Sequence, residues 1–185
     1  MRKAVSDAGP LVHLAQINKL HLLSQLFGQV VITLSVKREV YDEGVRLGYA
    51  DAQLVGKALH EGWIRVRALP KVLASASKRL AKGENISNPD AETLLLAREM
   101  KAEILVDETA LSDLARMFGL KAWDTWTVML ESLRLGYIEV SDIEAAIKEL
   151  GEKRHKLKNE QAGQILEAAK LIAQKRKQKG TGSTP

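Results

Sequence analysis

The 185-residue chain contains no cysteine. That excludes disulfides, zinc–thiolate sites and cysteine nucleophiles, and it is compatible with a reducing compartment. No stretch approaches the roughly 20 apolar residues a membrane-spanning helix needs. Met1-Arg2-Lys3 reaches Asp7 almost at once, which leaves no room for the apolar region of a signal peptide. The expectation is a cytoplasmic protein with no membrane contact. Aromatic residues make up only 4% of the chain. Trp63, Trp123 and Trp126 are not interleaved with basic residues, so they read as core or interface rather than as platforms for stacked bases. The four histidines (13, 21, 60 and 155) do not cluster as zinc ligands would. Glycine-rich phosphate loops and a Gly-x-Ser-x-Gly elbow are also missing, which argues against a nucleotide cofactor and an esterase.

An excess of charge is nearly missing from most of the chain and concentrated at its end. The net charge is +5, from 28 Lys/Arg and 23 Asp/Glu. Residues 151–185 hold nine bases and three acids, so this segment carries +6 and residues 1–150 carry −1. Such a tail suits a polyanion, although a solvated helix face has the same composition. The apolar fraction of 45% is that of an ordinary globular domain.

The apolar patterning alternates between short strands and longer helices. Strands are expected at 3–6, 30–33, 63–67 (an edge strand, from its period-two alternation), 104–106 and 121–123. Helices are expected at about 11–17, 20–27, 35–43, 50–60, 70–80, 89–100, up to Phe118, 125–135 and 141–150. Ser35 is expected to cap its helix and Gly44 to end it; Gly83 to Asn88 reads as a loop, with Asn88 as the next cap. In the 70–80 helix, Val72, Ala76 and Leu80 share one face. This order predicts an α/β fold: an open, mostly parallel sheet of four to five short strands with helices on both faces, plus a C-terminal helical extension. The expected division is a body over 1–150 and a basic amphipathic tail over 151–185. Its helix, at about 161–177, has Ala162, Ile165, Leu166, Ala169, Ile172 and Ala173 on one side, and a disordered end follows from Gly180.

Against this background four acids stand where strands give way to helices: Asp7, Glu39, Asp90 and Asp107. The carboxyl ends of parallel strands gather on one sheet edge, where ligands bind. Two unit charges about 4 Å apart repel by roughly 4 kcal/mol at an effective dielectric of about 20. Carboxylates gathered there call for a hard dication with oxygen ligands, Mg2+ or Mn2+. Each acid also has a plainer explanation. Asp7 suits a turn or cap before Gly9, and Glu39 and Asp90 lie where a helix dipole favours negative charge. Glu92 lies two residues beyond Asp90 and points elsewhere, so it reads as a further ligand, a water-mediated contact or neither. Asp107 directly follows Ile104-Leu105-Val106, with Glu108 as a rival for the same role. Ser6 and Thr109 offer hydroxyls nearby, His13 reads as packing or surface, and Asp113 and Asp124 read as exposed.

Four segments together resemble the PIN-domain nucleases, in particular the VapC-like branch: Val5-Ser-Asp7-Ala-Gly-Pro-Leu11, Val36-Lys-Arg-Glu39-Val, Asp90-Ala-Glu92-Thr-Leu-Leu-Leu-Ala97 and Leu105-Val-Asp107-Glu108. The resemblance spans about residues 3–135. It implies a divalent-metal-dependent ribonuclease hydrolysing RNA phosphodiesters, with Asp7, Glu39, Asp90 and Asp107 as catalytic acids, and these with Glu92 and Glu108 as metal ligands. It further implies a toxin silenced by an antitoxin protein, and a homodimer. The sequence departs from the family in having Thr33 or Leu34 where many members place proline, and in its adjacent acids at 107 and 108. The alternative is a catalytically silent nucleic-acid-binding or regulatory protein on the same fold, motivated by the tail. An aspartyl-nucleophile phosphatase fits poorly, because Ala8-Gly9 follows Asp7 where a second aspartate is needed. Contacts to RNA could come from Lys37, Arg38, Lys71, Lys78, Lys82 and the tail.

Overall fold

Short, mostly apolar runs become five parallel strands; the inner ones are apolar because both faces are covered, while the edge strand at 64–66 keeps the alternation that leaves Arg65 exposed. In the computed structural model, which describes residues 2–153 and 155–181, they are β1 (Lys3–Ser6), β2 (Gln29–Ile32), β3 (Ile64–Val66), β4 (Glu103–Leu105) and β5 (Ala122–Trp123), ordered β3-β2-β1-β4-β5. Ser6 registers with Leu105, and Val5 with Val31. The chain first builds outward from β1 through β2 to β3, then returns to place β4 on the other side of β1. That reversal opens a crevice beyond the carboxyl ends of β1 and β4, the usual ligand position in such sheets.

The connections are helical: α1 (Ala8–Gln16), α2 (Leu22–Phe27), α3 (Leu34–Lys37), a π-helical segment Arg38–Glu43, α4 (Gly44–Leu47), α5 (Ala50–His60), α6 (Lys71–Glu84), α7 (Asn88–Met100) and α8 (Thr109–Met117). The crossovers run in opposite directions along the sheet, and the right-handed rule for such connections then puts helices on both faces. One layer of the core packs Val5, Val31 and Ile104 against Leu94, Leu96, Leu111 and Leu114 of α7 and α8. The opposite layer includes Leu11, Leu14, Val55 and Ala58, all buried, where α1 meets α5.

The chain divides into two compact units, the first ending at Thr125 and the second beginning at Trp126. Residue 150, the expected end of the body, falls inside α10 (Val140–Glu152) of the second unit. The second unit also holds most of α9 (Thr125–Leu135), and α11 (Asn159–Thr181). The predicted apolar side of α11 is its buried or half-buried side, and the helix packs on α10. Arg176 donates from one guanidinium nitrogen to the carbonyls of Leu133 (2.9 Å) and Ile138 (3.3 Å), and pairs with Glu139. Among the described residues no helix is long and apolar enough to cross a membrane.

Several local expectations need correction. Thr33, not Ser35, caps α3: its backbone is extended and its Oγ1 accepts the Val36 N–H at 3.2 Å. Gly44 does not end the helical segment but continues it with helical φ and ψ; the stop is Gly48, at φ +75°. Ser87, not Asn88, caps α7, and the preceding loop shrinks because α6 runs to Glu84. The first helix begins at Ala8, directly after Asp7. Val72 does not join a packed face but is 79% exposed. The tail helix includes Gly180 and Thr181, which were expected to lie beyond it; the rest of the expected disordered end, 182–185, lies outside the described residues.

Candidate active site

Asp7 is the first residue past β1. Its extended backbone makes it the N-cap residue of α1, and its side chain is half-buried. Burial pushes its carboxyl well up, to about 6 from an ordinary 3.8. The backbone N–H groups of Ala8 and Gly9 oppose that rise, and the negative charges of Asp90 and Glu39 add to it. Glu39 is likewise raised, first by burial, then by the charges of Asp90 and Glu43. Three acids from three distant segments therefore feel one another.

Different local devices deliver each of them. Glu39 sits on the π-helical segment, whose wider turn alters side-chain direction relative to a plain α-helix. The segment packs on α5 so closely that side chains are missing at two points of contact. A Cβ on Gly56 would lie 2.5 Å from Cε2 of Tyr41, and one on Gly44 would lie 2.6 Å from Cβ of Ala52. Asp90 is fixed by a capping box: its Oδ2 accepts the Ser87 N–H at 3.2 Å and its own N–H reaches the Ser87 Oγ at 3.1 Å. Beside Glu39 a cleft of about 330 Å³ opens, lined in part by Gln16, Glu43, Tyr49 and Asp51. With Glu39 it holds three acids, although neither Asp7 nor Asp90 borders it.

Asp107 stands one strand away from Asp7, beyond β4. Its carboxylate is held from two sides. The Thr125 N–H donates to Oδ1 at 2.7 Å and the Thr125 hydroxyl to Oδ2 at 2.8 Å. Nδ1 of His13, on α1, stands 2.6 Å from the same Oδ2. Gly9 makes the approach feasible: a Cβ there would lie 3.3 Å from that oxygen. Sequence reading missed both partners. It placed His13 as packing or surface, and nothing in the sequence ties residue 13 to residue 107.

The remaining candidates sit apart from this arrangement. Glu92 accepts a hydrogen bond from the Asn88 amide at 2.7 Å, and Asn88 in turn meets the buried Ser77 hydroxyl at 3.2 Å, so this acid helps join α6 to α7. Glu108 is exposed at the start of α8. The Ser6 hydroxyl bonds to the Asp7 carbonyl at 2.8 Å. Thr109 and Asp124 are exposed, and Asp113 pairs with Arg116. Trp123 is buried edge-on against Phe27, 5.5 Å between centroids, as a core residue should be.

The donor set suits a hard dication in chemistry: all oxygen, mutually repelling, with the Asp7 carboxyl biased toward neutrality chiefly by burial and further by its acidic neighbours. Its spacing is looser than a finished cage. Among the described residues no three His, Asp or Glu side chains are gathered closely enough to hold a metal ion.

A family model described as a PIN domain matches residues 3–171. No curated protein matches the chain. Among solved structures, a PilT N-terminus domain protein from the archaeon Sulfolobus solfataricus is 20% identical, with 71% of this chain and 93% of that one covered and a TM-score of 0.49. PAE2754 from Pyrobaculum aerophilum is 18% identical, with 70% and 96% covered and the same TM-score.

Proposed function

Because this chain belongs to the PIN-domain family, generally a metal-dependent nuclease fold, we propose that it is a divalent-metal-dependent ribonuclease hydrolysing RNA phosphodiester bonds. One observation carries the reading. Burial does most to raise the Asp7 carboxyl and the charges of Asp90 and Glu39 add to it, so acids some eighty residues apart in sequence share one electrostatic neighbourhood. Asp7, Glu39 and Asp90 are the residues that would hold Mg2+ or Mn2+, with Asp107 contributing from the neighbouring strand. A cation bound there supplies Lewis acidity to the phosphate and neutralises charge on the leaving oxygen. The protein's own part is to position oxygens of matched hardness, and to keep Asp7 partly dry so that its charge is strongly felt. Without a cation the same acids repel an RNA backbone, so substrate and metal binding are coupled.

The test is cleavage of RNA by the purified chain with added Mg2+ or Mn2+, its loss in excess chelator, and its loss in Asp7→Asn while the circular dichroism spectrum is unchanged. Full activity in chelator overturns the proposal. The same reading takes an antitoxin protein as silencing partner, a homodimer as the assembled form and the cytoplasm as the compartment. Co-purification from cells and light scattering test the first two.

A second reading has its own support. The acids are not gathered into a finished metal cage, as expected of an RNA-binding protein without chemistry. Salt-dependent RNA binding that is indifferent to metal and to Asp7→Asn, with no cleavage, selects it.

A further inference from the structure

Asp107 is tied more tightly than any other acid at the strand ends. Three hydrogen bonds converge on it, from Thr125 N–H, Thr125 hydroxyl and His13, at 2.6–2.8 Å. The groups are sheltered: the side chains of His13 and Asp107 are 19% and 20% exposed, and Thr125 is 1% exposed. The donors come from chain segments on both sides of Asp107 in sequence. Their distribution over the two oxygens is uneven. Oδ2 receives the Thr125 hydroxyl and His13, while Oδ1 receives the Thr125 N–H. A carboxylate only accepts hydrogen bonds, so the His13 Nδ1 carries the hydrogen in this contact.

Gly9 and His13 lie four residues apart on one face of α1, and both address Asp107. Gly9 leaves the room and His13 fills the remaining lone-pair direction. The helix whose N-cap is Asp7 therefore also fixes the rotation of Asp107, linking the acids at the ends of β1 and β4 by a rigid element rather than by a loop.

We propose that His13 is a positioning residue for Asp107. Together with Thr125 it locks the carboxylate so that Oδ2 is consumed within the protein and Oδ1 is presented to the cation site. The inference rests on the metal-dependent reading above. It goes beyond it by assigning a role to a histidine outside the four acids. Residues that orient a ligand in this way commonly alter metal affinity or activity by about 10- to 100-fold when removed.

The experiment compares the full-length wild type with His13→Ala and His13→Asn. The Asn side chain places an amide N–H where the imidazole carries Nδ1, so it retains the donor while losing the ring. Mn2+ binding is followed by calorimetry, RNA cleavage is titrated against Mn2+, and melting is recorded in chelator. The expected result for His13→Ala is a half-saturating Mn2+ concentration raised about 10-fold or more, in binding and in cleavage, with the rate largely restored at saturating Mn2+. His13→Asn should stay within about threefold of wild type. If His13→Ala melts earlier but its folded form takes up Mn2+ as the wild type does, His13 is only a brace, and the proposal is overturned. Should His13→Ala not fold, His13→Gln, whose amide lies one bond further out, provides the same comparison. A wild type that neither binds Mn2+ nor cleaves RNA defeats the ribonuclease reading itself, a result distinguishable from failure of the histidine assignment.

Discussion

Removing the charge of Asp7 should make the metal-free protein more stable while destroying its activity. The carboxyl titrates near 6 in the fold instead of 3.8. The folded state therefore holds a proton that the unfolded chain has already lost between those values. Stability is fully retained below the unfolded value and falls as pH rises through the folded one. The shift of 6 minus 3.8 corresponds to about 3 kcal/mol at 1.36 kcal/mol per unit. About half of that is lost by pH 5 and nearly all by pH 7. Partial exposure of Asp7 and salt screening reduce the expected effect to roughly 1–2 kcal/mol. Asn keeps an oxygen for the backbone donors at the start of α1 and carries no charge. In chelator at pH 8, Asp7→Asn should melt roughly 2–8 °C above wild type, and the gap should close toward pH 4. Saturating Mn2+ should invert the order at pH 8, because only the wild type gains binding energy, about 2.7 kcal/mol at a hundredfold excess over Kd. The assay is thermal or urea unfolding at both pH values, with and without metal. A metal-free Asp7→Asn protein that melts at or below wild type at pH 8 refutes the argument, since the buried, repelled charge of Asp7 would then impose no cost for a cation to relieve.

Gly44→Ala drives a methyl to 2.6 Å from the Ala52 Cβ, a contact that neither backbone can easily yield. Unfolding should show a loss of about 1–3 kcal/mol, and cleavage should fall with it because the turn carrying Glu39 moves. Thr33→Ala removes the cap of α3 and should cost about 1 kcal/mol, read by urea denaturation. Arg176→Ala strips donors from the carbonyls of Leu133 and Ile138; each carbonyl left dry costs about 1–3 kcal/mol. Faster amide hydrogen exchange along α11 is the expected signature, and unchanged exchange contradicts it.

Much of this architecture can be read from patterning alone. Strands buried on both faces must be short apolar runs, and Ala4-Val5, Val30-Val31-Ile32 and Ile104-Leu105 are such runs. The helix over Ala50–His60 is marked by its period and ends before Gly62. Caps were harder to place, because Thr33 and Ser35, or Ser87 and Asn88, are chemically near-equivalent and only the local backbone direction chooses between them. The direction of Glu39 was hidden for a different reason. A π-helical turn has no marker in local propensity; the segment here lies close against α5, with Gly44 and Gly56 at the tight contacts.

From the sequence alone came the kind of sheet, the position of Asp7 and Asp107 just beyond apolar strands, and the absence of cysteine chemistry. The last is a matter of composition, and the others depend on neighbours a few residues apart. Only the tertiary structure decided which acids feel each other, and which are already spoken for. Asp7 interacts with Asp90 and Glu39, Glu92 is engaged by Asn88, and Asp107 is held by His13 across 94 residues of chain. Electrostatic repulsion and hydrogen bonding depend on distance in space, and the return of the chain from β3 to β4 sets that distance.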